Sequence, residues 1–274
     1  MPADADCLIA LHARRSYPAI TAWRERFPAR PLIVVLTGTD LYRDLRQDAD
    51  AQASLRLADR LVVLQDDALR HLPRAARAKA QVVYQSARAL VATSKPASRL
   101  NCILVGHLRA EKDPGTALRA WQFLAPQLPI RLLHVGAALD AQLAQEVQAT
   151  QASEPRYRWV GAMPHGWTRQ AIKRAHLLLL PSRMEGGANV IVEAVTAGTP
   201  VLASRMSGNL GMLGPDYGGY FPVGDAPALA RLLVRCWQEP SFYARLAHQC
   251  RARRALFTPE RERVALWRLL KQVL

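Results

Sequence analysis

Long apolar runs are the first thing this sequence lacks. No stretch of its 274 residues could cross a bilayer without meeting a charge or a proline. The opening "MPADADCLIALHARR" puts acids first, and its apolar part is too short for a secretory leader, so the chain is read as cytoplasmic. Only four cysteines occur, Cys7, Cys102, Cys236 and Cys250, and no two have metal or redox spacing. Cys7 and Cys102 open apolar strand-like runs, which makes them buried, inert thiols. No Asp-x-Asp is suited to holding a nucleotide-bound divalent ion, so neither a metal nor a cofactor is expected. Acids are outnumbered as well: 22 Asp and Glu face 37 Lys and Arg, a formal net charge of +15. That surplus fits either a nucleic-acid surface or a small anionic substrate. The sequence has no recognition-helix signature, no RNP-like aromatic strand and no basic tail. Its densest cationic stretch, "RARRALFTPERERVALWRLLKQVL", interleaves arginine with Leu, Val and Trp as a solvated helix face does. A nucleic-acid partner is the weaker of the two readings.

What is present is a regular alternation. Half the residues are hydrophobic, enough for one large domain or two modest ones with cores of their own. Apolar strand candidates at 101–108, 130–137, 157–163, 176–182, 200–204 and 218–223 alternate with helix candidates at 114–125, 139–150, 167–175, 189–197 and 226–237. Such alternation predicts a parallel sheet covered on both faces, a Rossmann-like lobe whose ligands sit at the carboxyl ends of its strands. The first ninety or so residues repeat the theme, with strands at 7–13, 31–38, 60–65 and 80–86 and helices near 16–26, 43–56 and 66–71. Residues 88–100, "RALVATSKPASRL", read as a linker. The expectation is an α/β chain of two Rossmann-like lobes, 1–94 and 95–257, with a C-terminal helix at 258–274 that packs back on the first lobe. The cleft between the lobes is the default site. The first lobe opens directly on a strand, as though its initial βαβ unit were missing.

Two stretches carry chemistry. In "VGHLRAEKDPGTA" (105–117), Asp113 reads as a helix N-cap and Pro114 as the first helical residue. Lys112 then stands just before a helix N-terminus, on a loop shared with His107 and Arg109. A cation there gains nothing from the helix dipole, but a phosphate between the two would explain it. The plainer alternative is a solvated loop lysine. In "PSRMEGGANVIVEAVTAGTPVLAS" (181–204), a strand, a glycine turn and a helix follow one another. Gly186 and Gly187 let the backbone approach a ligand closely, Ala188 completes the turn, and Asn189 starts the helix. Glu185 lies before the helix and Glu193 a little over one turn into it, so both can face one crevice. Carboxylates bind vicinal diols well, which points to a ligand with phosphates for the amides and diols for the glutamates: a nucleotide-sugar. The alternative is an ordinary surface glutamate followed by a helix-dipole partner.

These stretches, with "VGAMP" (160–164) and "GGYFPVGD", resemble the nucleotide-sugar motif of GT-B glycosyltransferases, especially glycosyltransferase family 4. The resemblance implies a GT-B fold with the first lobe on the acceptor side. It implies that Glu185 contacts the transferred sugar, Glu193 holds the ribose hydroxyls and Lys112 holds the diphosphate. The family's arginine is replaced here by His107, leaving Arg109 or a protonated His107 to take its place. Met163, within "VGAMP", falls in the donor-binding set. Narrower phrases, "LIALHARRSYPAI", "VVLTGTDLYRDL", "LVVLQDDALRHLP" and "VVYQSAR", resemble the selenosugar synthases of selenoneine biosynthesis. That implies a UDP-sugar donor, with selenophosphate or another small acceptor as the second substrate. Basic groups from the first lobe (Arg14, Arg15 and Arg43) would hold the anion, and Thr37, Gly38, Thr39, Asp40 and His12 would line the cleft. A hydroxyl-accepting hexosyltransferase and a UDP-sugar epimerase of the same fold are the competing enzyme readings.

Overall fold

A short apolar strand followed by a helix returns the chain to the same end of a sheet, so successive strands pair in parallel. The computed structural model describes residues 4–274. Its first lobe runs β1 (Leu8–Leu11), α1 (Tyr17–Arg26), β2 (Leu32–Val35), α2 (Leu45–Gln47), α3 (Ala49–Leu57), β3 (Arg60–Val63), α4 (Arg74–Ala78) and β4 (Ala80–Val82). The four strands lie in the order β1-β2-β3-β4, all parallel. β1, α1 and β2 form a parallel βαβ unit.

The second lobe runs β5 (Leu100–Val105), α5 (Pro114–Trp121), β6 (Ile130–Val135), α6 (Ala141–Ser153), β7 (Tyr157–Trp159), α7 (His165–Arg174), β8 (Leu177–Leu180), α8 (Asn189–Thr196), β9 (Val201–Ser204), α9 (Ser207–Leu213), β10 (Tyr220–Phe221), α10 (Ala226–Gln238) and α11 (Pro240–Arg253). Its six parallel strands lie in the order β10-β9-β8-β5-β6-β7. The order reverses between β5 and β8. The loops leaving these two strands turn apart and open a crevice at their carboxyl ends. β8 is buried along its whole length, and each of its leucines contributes roughly 1.5–3 kcal/mol of transfer free energy. That burial anchors the loop that follows it.

The last helix, α12 (Pro259–Leu270), returns to the first lobe. Leu269 shares one apolar cluster with Ile33, Val62 and Val83, and Gln81 Nε2 donates to the carbonyl of Ala265 at 3.2 Å. The single helix expected over 43–56 is broken instead. A π-helical turn at Asp40–Asp44 leads into α2, and Asp48 then caps α3 by accepting from the Ala51 N–H at 2.8 Å. Cys102 is buried as expected, whereas Cys7 is only half-buried. No helix of the described residues is long and apolar enough to cross a membrane.

Below the crevice, His134 on β6 is fully buried, 2.8 Å from the Tyr157 hydroxyl and 3.2 Å from the carbonyl of Gly106. Burial pushes its pKa down to about 4, because the charged ring would lose its hydration. Between about pH 4 and the ordinary histidine value the unfolded chain binds a proton that the folded chain refuses, so stability falls as pH is lowered through that window. The loss amounts to about 3 kcal/mol once pH passes below the folded pKa. Melting temperature measured from pH 7 to pH 4 should fall less steeply for His134→Gln than for the parent chain. Equal slopes would show that this histidine does not set the acid limit.

Candidate active site

The crevice above β5 and β8 is assembled from two loops that hold each other. After β5, Asp113 caps α5 by accepting from the Thr116 N–H and hydroxyl, with Pro114 as the first helical residue. After β8, the Arg183 N–H donates to the carbonyl of Glu111 at 2.8 Å, and Arg183 Nε stands 3.0 Å from Asp113. Between these ties, Lys112 Nζ donates to Glu185 Oε1 at 2.6 Å, and the same oxygen accepts from the Ser182 hydroxyl at 2.7 Å. Glu185 is 8% exposed. The cation expected for a phosphate and the carboxylate expected for a sugar thus form one half-buried pair at the switch point.

Glu193 lies within α8, 5% exposed. Its Oε1 is 2.6 Å from His165 Nε2 and 3.4 Å from Asn189 Nδ2. His165 is the first residue of α7, directly after "VGAMP", and escapes a reading by motif. Its only local signal is its place just past that strand end, where a loop faces the crevice. Met163 is half-buried on the same loop. His107 Nδ1 accepts the Ala137 N–H at 2.9 Å. That contact leaves Nε2 as the ring nitrogen not engaged by the Ala137 N–H. Arg109 instead lines the cleft.

A cavity of ≈ 460 Å³ lies between the lobes. His12, Arg15, Thr37 and Thr39 line it from the first lobe, and Arg109, Glu185, Gly186 and Gly187 from the second. His12 has a φ of +73°, a conformation that costs a non-glycine residue on the order of 1–3 kcal/mol. Its ring is fixed on both sides: Nδ1 accepts from the Arg15 N–H at 3.3 Å, and Nε2 meets Thr39 Oγ1 at 2.9 Å. Arg15 and Arg109, one from each lobe, form no ion pair among the described residues.

Two first-lobe candidates point elsewhere. Asp40 is fully buried and accepts from Ala13 N–H, Thr37 N–H, Thr37 Oγ1 and Leu41 N–H. These four hydrogen bonds tie the two loops together, and Asp40 does not line the cavity. Arg14 Nε stands 3.0 Å from Asp44 and does not line the cavity. Arg43 also contacts Asp44 at 3.0 Å, yet still lines it.

The glycines carry a second constraint. A Cβ on Gly186 would stand 2.4 Å from the nitrogen of Gly38 and 2.6 Å from the carbonyl carbon of Thr37, and one on Gly187 would stand 2.5 Å from Leu64 Cβ. The turn is bare where the first lobe passes against it, and both glycines also line the cavity. A polar relay closes the same seam: Gln65 Nε2 donates to the Tyr42 hydroxyl at 2.8 Å, Tyr42 to Ser207 Oγ at 3.0 Å, and Ser207 to Asp67 Oδ2 at 2.6 Å. Burial pushes the Tyr42 pKa up to about 12, so the phenol keeps its donor proton.

Residues 99–239, just over half the chain, match the family model described as glycosyl transferases group 1. The amylovoran biosynthesis glycosyltransferase AmsK of Erwinia amylovora is 31% identical over 149 residues, covering 51% of this chain and 36% of that protein. The chain therefore spans about a third of that relative's length. Anabaena HepE in complex with UDP and glucose superposes with a TM-score of 0.80 at 18% identity, covering 97% of this chain and 77% of the other. Sucrose-phosphate synthase from Thermosynechococcus elongatus gives 0.80 at 21% identity, with 97% and 73% covered. At such identities the likeness establishes the two-lobed GT-B fold.

Gly186→Ala should force the lobes apart, lowering stability by about 1–3 kcal/mol and raising the radius of gyration in small-angle scattering. Gly166→Ala, where a Cβ meets nothing within 4 Å, should do neither. Unchanged melting and scattering for Gly186→Ala would show that the contact is not a constraint.

Proposed function

The chain belongs to the glycosyl transferases group 1 family, and from that premise we propose that it moves a hexosyl or N-acetylhexosaminyl group from a UDP-sugar to an anionic acceptor, selenophosphate being the acceptor its sequence resemblance points to. The observation that carries this reading is the Lys112–Glu185 pair at the switch point, with Arg109 on the same side of the cavity and Arg15 opposite, neither in an ion pair among the described residues. In this reading Glu193 accepts the ribose hydroxyls and Glu185 a hydroxyl of the sugar. Lys112, released from Glu185, meets the diphosphate together with the unpaired amides that open α8. The anomeric C–O bond breaks with its electrons passing to the β-phosphate, where Lys112 and the His107 N–H stabilise the departing charge. A selenium lone pair forms the new C–Se bond. Selenophosphate is already anionic and nucleophilic, so no strong base is required, and Arg15, Arg43 and Arg109 hold it. No cofactor is called for beside the donor and the acceptor, and a cytoplasmic setting belongs to the same reading.

A hydroxyl acceptor would instead require a base. His12, whose ring stands 3.9 Å from Asp40 and 3.8 Å from Asp44, is the group placed for it, and this is the second reading.

Incubation with UDP-sugars separates them. UDP release that depends on selenophosphate, with a selenium-containing sugar found by mass spectrometry, is expected. Release with hydroxyl acceptors only would replace the first reading by the second. Within the same assay, Glu193→Ala should weaken UDP and UDP-sugar alike by about 1.5–3 kcal/mol. Glu185→Ala should leave UDP affinity undiminished, because it frees Lys112, and lower turnover. Equal losses of UDP affinity in both variants would contradict the division of roles.

A further inference from the structure

A second concavity lies away from the cleft. Helix α7 packs over β5, while on β6 and β7 the described residues leave Arg131 and Arg158 exposed. On β6, Ile130, Leu132 and His134 are buried against the opposite face, while Arg131 is exposed and Leu133 half-buried. On β7, Tyr157 is buried and Arg158 exposed. In register, Asn101 lies beside Arg131, Ile103 beside Leu133, and Leu133 beside Arg158. Strands of a doubly covered sheet are apolar on both faces; here one face holds arginines around an apolar floor.

The result is a groove of ≈ 360 Å³ with Ile103 and Leu133 on its floor, Trp167 of α7 along one wall, and Arg131, Arg158 and Arg174 among its lining. Trp167 is 40% exposed. Arg156, which also lines the groove, is held by Glu154 at 2.7 Å and 2.8 Å. Arg131, Arg158 and Arg174 have no carboxylate partner among the described residues. With a net charge of +15, many cations in this chain must go unpaired, so a lone free arginine says nothing. The convergence of three on one apolar concavity is different. Like charges repel, and gathering them beside an apolar floor and a large indole is unfavourable unless something anionic and partly apolar lies between them.

We propose that this groove binds a phosphate-bearing amphiphile, its apolar body against Ile103, Leu133 and Trp167 and its phosphate among Arg131, Arg158 and Arg174. Guanidinium forks match phosphate oxygens in pairs, and a phosphate offers acceptors to more than one arginine. The indole supplies a flat amphipathic wall of the kind found where apolar and wet regions meet. Its floor and two of its arginines come from the starts of β5, β6 and β7, at the opposite end of the sheet from the crevice, and none of the three arginines belongs to the donor site.

Dodecyl phosphate below its micelle concentration is the probe, with dodecyl maltoside as its neutral counterpart, both titrated calorimetrically into the full chain. Binding of the phosphate but not of the maltoside is expected, with affinity falling about tenfold or more in R131Q/R158Q/R174Q and falling also in Trp167→Ala. All three arginines are surface residues, so the variant should fold and should retain the parent's affinity for UDP. That control separates failure of this site from failure of the donor-site reading. Sedimentation with phosphatidylglycerol vesicles, set against phosphatidylcholine vesicles, identifies the source. Retention on the anionic vesicles, lost in the triple variant, assigns the site to a membrane lipid; binding of the soluble amphiphile alone assigns it to a free phosphorylated ligand. No binding of dodecyl phosphate, equal binding of the maltoside, or an unchanged affinity in the triple variant would overturn the proposal.

Discussion

Gly38 and Gly186 meet with no side chain between them, and the closeness of that contact decides how the two lobes face each other. A Cβ on either glycine would stand within 2.7 Å of the other's backbone nitrogen, closer than real side chains come to a backbone. The contact presses the end of the second strand against the turn that follows β8. It therefore places Thr37 and Thr39 opposite Glu185 with no slack in either loop. Gly208 adds to the constraint, since a Cβ there would stand 1.9 Å from the carbonyl oxygen of Glu185. Glu185 is thus fixed by backbone on two sides before any side chain contributes.

Electrostatics follow from that placement. A carboxylate held 8% exposed needs partners, because an isolated buried charge is costly. Lys112 and Ser182 supply them. The pair cancels locally, so the cleft's uncompensated charge comes from Arg15 and Arg109, which belong to different lobes. In the proposed function an anionic acceptor would bridge them, and the donor diphosphate, nearer α8, would compete with Glu185 for Lys112. The reading of a donor diphosphate and an anionic acceptor rests on this division of cations more than on any single residue.

Local rules made much of this legible. Capping chemistry identified Asp113 and Pro114 because an N-cap and a first-turn proline act within three residues of chain. Apolar alternation identified the parallel strands of both lobes for the same reason. Asp48, a capping residue by type, carried a signal for the break between α2 and α3 that the apolar pattern of the neighbouring helices masked. What depends on distant chain was not legible. Sequence shows that Gly186 must be bare but not what comes close to it, and the visitor is Gly38, almost 150 residues earlier. Asp40 was legible as ending a strand, but not the four donors from two loops that it accepts. His165 reaches Glu193 across 28 residues, and no periodicity links the two.

The most direct test is amide hydrogen exchange of the intact chain with and without saturating UDP. Expected is slowed exchange in residues 106–112 and 185–193, the two segments that flank the switch point, with no change along β6 and β7 beside the arginine groove. Protection confined to the first lobe, or none at all at saturating UDP, would contradict a nucleotide site built on Lys112, Glu185 and Glu193.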